Sequence, residues 1–217
     1  RPRQAGACRI QGRQDQVRSS PIQGIRGRVR GTRPFSFPRA AAKLRCMVQT
    51  ITLRAAAMAD LDGIDRLLGR SYARLLAPDY PPSTLVLAVP RFARAQPELL
   101  TSGRYFVAED AQGRILAAGG WSRRSPVGGL MDETAGHVRH VATDPSVARQ
   151  GIGRMLMARV IGDACGEGMH WMDCVSTTTA VPFYRALGFR VVQPLELSLG
   201  MGISFPVMRM LADLRQG

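Results

Sequence analysis

"DPSVARQGIGRML", residues 144–156, decides how this chain reads. It separates a strand-like run, "GHVRHVAT" (136–143), from an apolar helix-like run, "GIGRMLMARVIGDACGEG" (151–168). A strand, a glycine turn and a helix N-terminus together make a general anion site, because successive backbone N–H groups point outward and the helix dipole adds partial positive charge. Arg149 and Arg154 add mobile charge beside Gly151 and Gly153. Two common phosphate-binding motifs do not fit. A P-loop needs G-x-x-x-x-G-K-[ST], whereas Gly153 is followed by Arg154 and Met155. A dinucleotide fingerprint needs a third glycine at the position of Leu156 and normally follows the first strand.

Working outward, the pattern mixes α and β. "VQTITLRAA" alternates as a strand, with Thr50, Thr52 and Arg54 opposing Ile51 and Leu53. In "MADLDGIDRLLGRSYARLL", Leu61, Ile64, Leu67, Leu68 and Leu75 fall at helical spacing, and Asp60 is placed to cap the helix. "APDYPP" ends it, and residues 83–100 predict a second helix. "RYFVAEDAQGRILAAGGWSRR" reads as a hairpin turning at Asp110 to Gly113. "GHVRHVAT" is the next strand. The following helix carries Ile152, Leu156, Val160 and Ile161 on one stripe and ends near Gly166 and Gly168. "MHWMDCVS" is a strand, "TAVPFYRALG" a short helix ended by Gly188, and "FRVVQPLELSLG" and "SFPVMRML" are closing strands. The order is strand, two helices, three strands, helix, strand, helix, two strands. Its middle strand–helix–strand is a right-handed crossover that forces at least one parallel pair.

Composition bounds the class. A chain of 217 residues with 45% hydrophobic residues suits one soluble domain with length to spare. No apolar run approaches the roughly 20 residues that span a bilayer. Cys8, Cys46, Cys165 and Cys174 form no C-x-x-C pair and no metal-like cluster with the three histidines, so reduced structural thiols, no metal and a cytoplasmic location are expected. The net charge of +14 is uneven: residues 1–46 hold 12 Lys/Arg against the single acid Asp15, while the rest holds 18 basic and 15 acidic residues. With sparse, unperiodic apolar residues and recurrent Gly, Pro and Arg, residues 1–46 are expected to be disordered. Three readings of that segment stay open: an Arg-rich organellar transit peptide, an arm attracted to nucleic-acid phosphates, and translated upstream sequence without a role, the natural start being Met47. The third is favoured, nucleic acid least. Residues 47–217 form the expected domain.

"HVATDPSVARQGIGRMLM" (140–157) resembles the [Q/R]-x-x-G-x-[G/A] motif of the GNAT acyltransferase superfamily. The second signature of that family, N-x-x-A-x-x-F-Y-x-x-L-G-F, is matched downstream by "TTTAVPFYRALGF" (177–189). The resemblance implies an α/β fold with a mixed, mostly antiparallel sheet of six to seven strands, split by a central splay and flanked by about four helices. It implies an acetyl-CoA cradle: backbone amides of Arg149, Gln150, Gly151, Ile152, Gly153 and Arg154 on the pyrophosphate, and backbone groups of Val141 and Thr143 on the pantetheine arm. Two positions depart from the pattern. Ala148 stands at the first Gln/Arg, with Arg149 one place along, and Thr177 replaces the Asn of the second signature, which shortens a side-chain contact to the cofactor.

The implied activity is transfer of an acetyl group from acetyl-CoA to an amine by direct attack in a ternary complex. The acceptor, a small molecule or a peptide, is left open, as is association into a homodimer; no membrane partner is expected. A non-catalytic acyl-CoA sensor is the alternative. Amide formation needs an uncharged amine, a route for its proton and stabilisation of the departing thiolate, with acid–base help worth roughly 10²–10⁴. The family places its acid at Tyr184. His137 lies where histone-modifying members carry a catalytic glutamate and is the candidate base; simple alternation puts His137, Arg139, Val141 and Thr143 on one face and His140 on the other. His170 reads as structural, and Asp173 either polarises water or pairs with an arginine. Trp121, Tyr72, Tyr80 and Phe92 are candidates to line an acceptor pocket, although such aromatics are more often core. No base signature adjoins any cysteine, which argues against a cysteine nucleophile.

Overall fold

The computed structural model describes residues 50–128, 133–200 and 202–215. The segment 1–46, with the disorder expected for it, lies outside the described residues, as does Met47. No described helix is long and apolar enough to cross a membrane.

Among the described residues, seven strands form one sheet in the order β1-β2-β3-β4-β5-β7-β6. In chain order they are β1 (Thr52–Ala55), β2 (Tyr105–Glu109), β3 (Ile115–Ser122), β4 (Ala135–Thr143), β5 (Trp171–Ser176), β6 (Arg190–Ser198) and β7 (Ser204–Asp213). Every pairing is antiparallel except β4 with β5. The helices are α1 (Leu61–Leu75), α2 (Pro82–Phe92), α3 (Pro97–Thr101), α4 (Ile152–Gly166) and α5 (Val181–Arg185). The mixed, mostly antiparallel sheet is as expected. The described α-helices number five because the single helix expected over 83–100 is two: Ala93 leaves the helical region at ψ 48°, and the chain re-enters at Pro97, whose fixed φ suits a first turn. Asp60 does not cap α1. Its carboxylate accepts from Ala57 N–H at 2.8 Å, one turn earlier, and pairs with Arg54.

The two sheet faces bury different cores. Phe106, Ala108, Ala117 and Trp121 pack with Leu156, Met157 and Val160 of α4 and with Tyr184 of α5. Tyr105, Val107 and Ala118 pack with Ile64, Leu67 and Leu68 of α1 and with Leu99 and Leu100 of α3. α2 covers the β7 end through Ala88, against Phe205 and Val207. Helix α4 forms despite internal glycines, which cost about 1 kcal/mol each. Its stripe of Ile152, Leu156, Met157, Val160 and Ile161 is buried, and each such side chain contributes roughly 1.5–3 kcal/mol, so packing decides.

Simple alternation fails in β4. Ala118 pairs with Ala142 and Gly120 with Arg139, so His140 and Val141 together oppose the single residue Gly119. This is a β-bulge, and His140 sits in it at φ 44°. The bulge reverses the face of everything beyond it. His137, beside Ser122, and Arg139, hydrogen-bonded to Gln96, lie on the side of α1 and α3 with Ala142. Val141, which packs against the α4 core, and Thr143 lie on the other side. The expectation that His137, Arg139, Val141 and Thr143 share one face is therefore corrected.

Candidate active site

β4 and β5 pair only from Ala135 to His137 and from Trp171 to Asp173. Beyond that rung each strand keeps its outer partner, β3 or β7, but loses the other. The parting opens a cavity through the sheet. Val138, His140 and Val141 line it from β4, with Cys174 and Ser176 from β5. Thr177, Tyr72 of α1 and Tyr184 of α5 also stand in its wall. Past the last rung, the β4 edge toward β5 has backbone groups with no strand to bond, which is where a slender polar chain can lie.

At the far end of β4 the chain turns through Asp144, whose carboxylate accepts from Ser146 N–H (2.9 Å) and Ser146 Oγ (2.6 Å) and pairs with Arg114 (2.8 Å) and Arg70 (3.1 Å). Burial pushes the Asp144 carboxyl up, but the hydrogen bonds from Ser146 and Arg114 outweigh it and hold the group well below the usual carboxylate range. This fixes the entry to the glycine turn. Arg149 at φ 66° and Gly151 at φ 86° take the left-handed conformation, and such alternation turns successive amides to one side as an anion-binding nest. A side chain at 151 would be strained by that φ, although nothing lies within 4 Å of its Cβ position. The first helical bond is Met155 N–H to Gly151 C=O at 3.0 Å, so the amides of Ile152, Gly153 and Arg154 have no intrahelical acceptor. Arg149, Gln150, Gly151 and Arg154 are exposed, while the Ile152 side chain is buried in the core. Only backbone of Ile152 is available to a ligand.

Tyr184 is 6% exposed, edge-to-face with Phe183 (5.2 Å) and Phe189 (5.4 Å). Burial and the adjacent Cys174 push its phenol well above the ordinary value, so it keeps its proton. Burial likewise raises the Cys174 thiol and the Tyr72 phenol. The cavity wall is thus neutral, and a Cys174 thiolate nucleophile is disfavoured.

His137 is placed elsewhere. It is 1% exposed, belongs to the last β4–β5 rung opposite Asp173, and does not line the cavity. Its Nδ1 lies 3.3 Å from Asp173 Oδ2 without the alignment of a hydrogen bond. Arg209 Nε donates to Asp173 Oδ1 at 3.0 Å, which is the arginine pairing among the two readings of Asp173. Burial raises the Asp173 carboxyl, and His137 and Arg209 together bring it below its ordinary value. The β4 histidine that lines the cavity is His140, which sits in the bulge rather than on the regular ladder. Its only sequence-level trace is the glycine pair on the facing strand, and that becomes meaningful once the pairing is known.

Of the four aromatics considered for an acceptor pocket, Tyr72 reaches the cavity. Trp121 is fully buried and its Nε1 donates to Asp163 at 2.9 Å. Tyr80 stacks on Phe205 at 4.6 Å, and its hydroxyl accepts from Thr178 N–H at 2.7 Å, anchoring the segment that follows β5. Phe92 packs between Tyr72 and Phe205.

Residues 101–191 match the family described as the acetyltransferase (GNAT) domain. Among solved structures, the PaiA N-acetyltransferase from Thermoplasma acidophilum, in complex with coenzyme A, is similar over 75% of this chain and 98% of its own, with TM-score 0.57 and 13% identity. A GCN5-related N-acetyltransferase from Rhodopseudomonas palustris gives TM-score 0.60 at 18% identity, covering 77% of this chain and 99% of its own. The ribosomal-protein-S18-alanine N-acetyltransferase from Escherichia coli gives 0.52 at 15% identity, covering 76% and 94%. At these identities the likeness is one of fold. No curated protein matches the chain.

Proposed function

From the premise that this chain carries a GNAT acetyltransferase domain, we propose that it transfers an acetyl group from acetyl-CoA to an amine by direct attack, without a covalent enzyme intermediate. One observation carries the reading. A protonated, buried phenol, Tyr184, lines the cavity where β4 and β5 part, and the same β4 leads into the left-handed turn at the start of α4.

Acetyl-CoA supplies a thioester carbonyl open to attack and a thiol as leaving group. The chain supplies position and protons. Amides from Arg149 to Arg154, with the two arginine side chains, hold the pyrophosphate; the α4 dipole favours the negative charge. The freed β4 edge at Val141 and Thr143 hydrogen-bonds the pantetheine arm, and Thr177 borders it from β5. Tyr184 gives its proton to the departing sulfur. His137, in this reading, holds the last rung with Asp173, so that the strands part at a defined point.

Calorimetry of the full chain with coenzyme A, together with acetyl-CoA consumption across a panel of amines, tests the proposal. Tyr184→Phe is expected to retain coenzyme A binding and to lose roughly 10²–10⁴ in turnover. No heat with coenzyme A overturns the cradle. Wild-type turnover by Tyr184→Phe removes the tyrosine as acid, and binding without turnover of any amine leaves the sensor reading.

A further inference from the structure

We propose that His140 is the general base of this site, its imidazole delivered to the cavity by the bulge in β4. The inference rests on the acetyl-transfer reading and assigns the proton acceptor within it.

Three observations carry it. First, His140 shares the cavity with Tyr184, whereas His137 lies on the last rung and does not line it. Second, the backbone that carries the ring is constrained. His140 sits at φ 44°, where a non-glycine residue is uncommon and where His, Asn and Asp are the side chains most often found. Its carbonyl accepts from the buried Tyr105 hydroxyl at 2.9 Å, so the peptide cannot swing freely. A strained residue fixed by its surroundings beside a cavity is a reason to look for function there. Third, the groups facing it leave it neutral and free. Tyr72 from α1, Cys174 from β5 and Tyr184 from α5 all keep their protons, with Tyr105 of β2 behind; Arg139 on β4 is the neighbouring cation. Burial, and then Arg139, lower the His140 pKa to about 4, so the imidazole is an open acceptor at neutral pH.

So weak a base cannot strip a resting ammonium ion. It accepts the proton of a neutral amine whose nitrogen is already bonding to the carbonyl, where that proton has become strongly acidic. The amine nitrogen's electron pair forms the C–N bond, the C–S pair leaves on sulfur, the amine proton goes to a ring nitrogen of His140, and the Tyr184 proton goes to the thiolate. Proton exchange with solvent then returns both side chains to their starting states, giving amide and free thiol.

The left-handed position supplies the test. His140→Asn and His140→Gly both accept that conformation, so the bulge survives while the base is lost. Both are expected to bind coenzyme A as the wild type does and to lose 10²–10⁴ in kcat with little change in KM for acetyl-CoA, on the usual scale of acid–base help. Added imidazole should restore part of the His140→Gly rate and none of the Tyr184→Phe rate. A readout free of turnover comes from ring NMR signals. The chain has three histidines, and coenzyme A should shift the His140 signals and leave those of His137 in place. Wild-type kcat in His140→Asn, or His140 signals unmoved by bound coenzyme A, overturns the inference while Tyr184 dependence preserves the acetyl-transfer reading. Failure of the wild type to bind coenzyme A removes both.

Discussion

The hydroxyl of Tyr105 on β2 donates to the backbone carbonyl of His140 on β4 at 2.9 Å, reaching across β3 to do so. The crossing is open because the intervening residue is Gly120, where a Cβ would lie 2.8 Å from the Tyr105 ring and 2.2 Å from Arg104 O. A buried phenol, a glycine and a bulged peptide thus form one unit behind the cavity.

Tyr105→Phe breaks that unit at its hydrogen bond. The half-buried carbonyl loses its donor, at a cost of about 0.5–1.5 kcal/mol. A lower denaturation midpoint with unchanged m-value is expected, accompanied by reduced turnover as the bulge loosens. An unaltered midpoint would show that the hydroxyl contributes nothing to holding His140.

Gly119→Ala attacks the same unit from the side of α4. Its Cβ would lie 2.8 Å from Val141 Cγ2, 3.1 Å from Val141 Cα and 3.3 Å from Leu156 Cδ2. A backbone neighbour cannot rotate away, so the bulge must shift, and overpacking of this kind costs roughly 1–3 kcal/mol. Since Val141 offers its edge to the pantetheine arm in the proposed function, coenzyme A affinity should fall together with stability. Denaturant midpoint and calorimetry on the one variant check both; full affinity with lowered stability would separate the bulge from the cradle.

Acid should destabilise the fold through His140. Its pKa is lowered from 6.5 to about 4 by burial and by Arg139, so above pH 6.5 the ring is neutral folded and unfolded alike. Between pH 6.5 and 4 the unfolded chain binds the proton and the folded chain does not. Stability therefore falls as pH falls through that window and levels off below it. The wild type should lose about 2 kcal/mol relative to His140→Asn between pH 7.5 and 5. Parallel urea titrations at the two pH values read this directly, and a constant difference between the proteins would contradict it.

Trp121→Phe separates core from site. Trp121 is fully buried, and its indole N–H donates to Asp163 at 2.9 Å. Removing the donor should cost about 1–3 kcal/mol of stability and leave coenzyme A binding as in the wild type. Lost binding at full stability would return this residue to the ligand site.

Much of the fold was legible from local chemistry. Gly113 turns at φ 75° between β2 and β3, Gly188 at φ 87° closes α5, and the stripe of α4 is buried as its spacing requires. The glycine turn at 149–154 was legible for the same reason: left-handed residues and a helix N-terminus are local properties. The two histidines of β4 were not. A period of two places His137 correctly only until the register shifts, and that shift lies in the pairing of β3 with β4. Likewise Trp121 and Tyr80 read as pocket candidates because burial and exposure of an aromatic depend on what packs above it.

By itself the sequence determined the order of the strands, the glycine turn between β4 and α4 and the short helix that carries Tyr184, since each depends on residues adjacent in the chain or one helical turn apart. Tertiary structure alone decided which histidine of β4 lines the cavity that Tyr184 lines. Two residues of β4 oppose the single Gly119, and the bulge that results exchanges the faces of the strand. The physical reason is that a bulge is a property of two strands at once: its energy lies in cross-strand hydrogen bonds and in the room left by a glycine on the neighbour, neither of which is encoded within β4 alone.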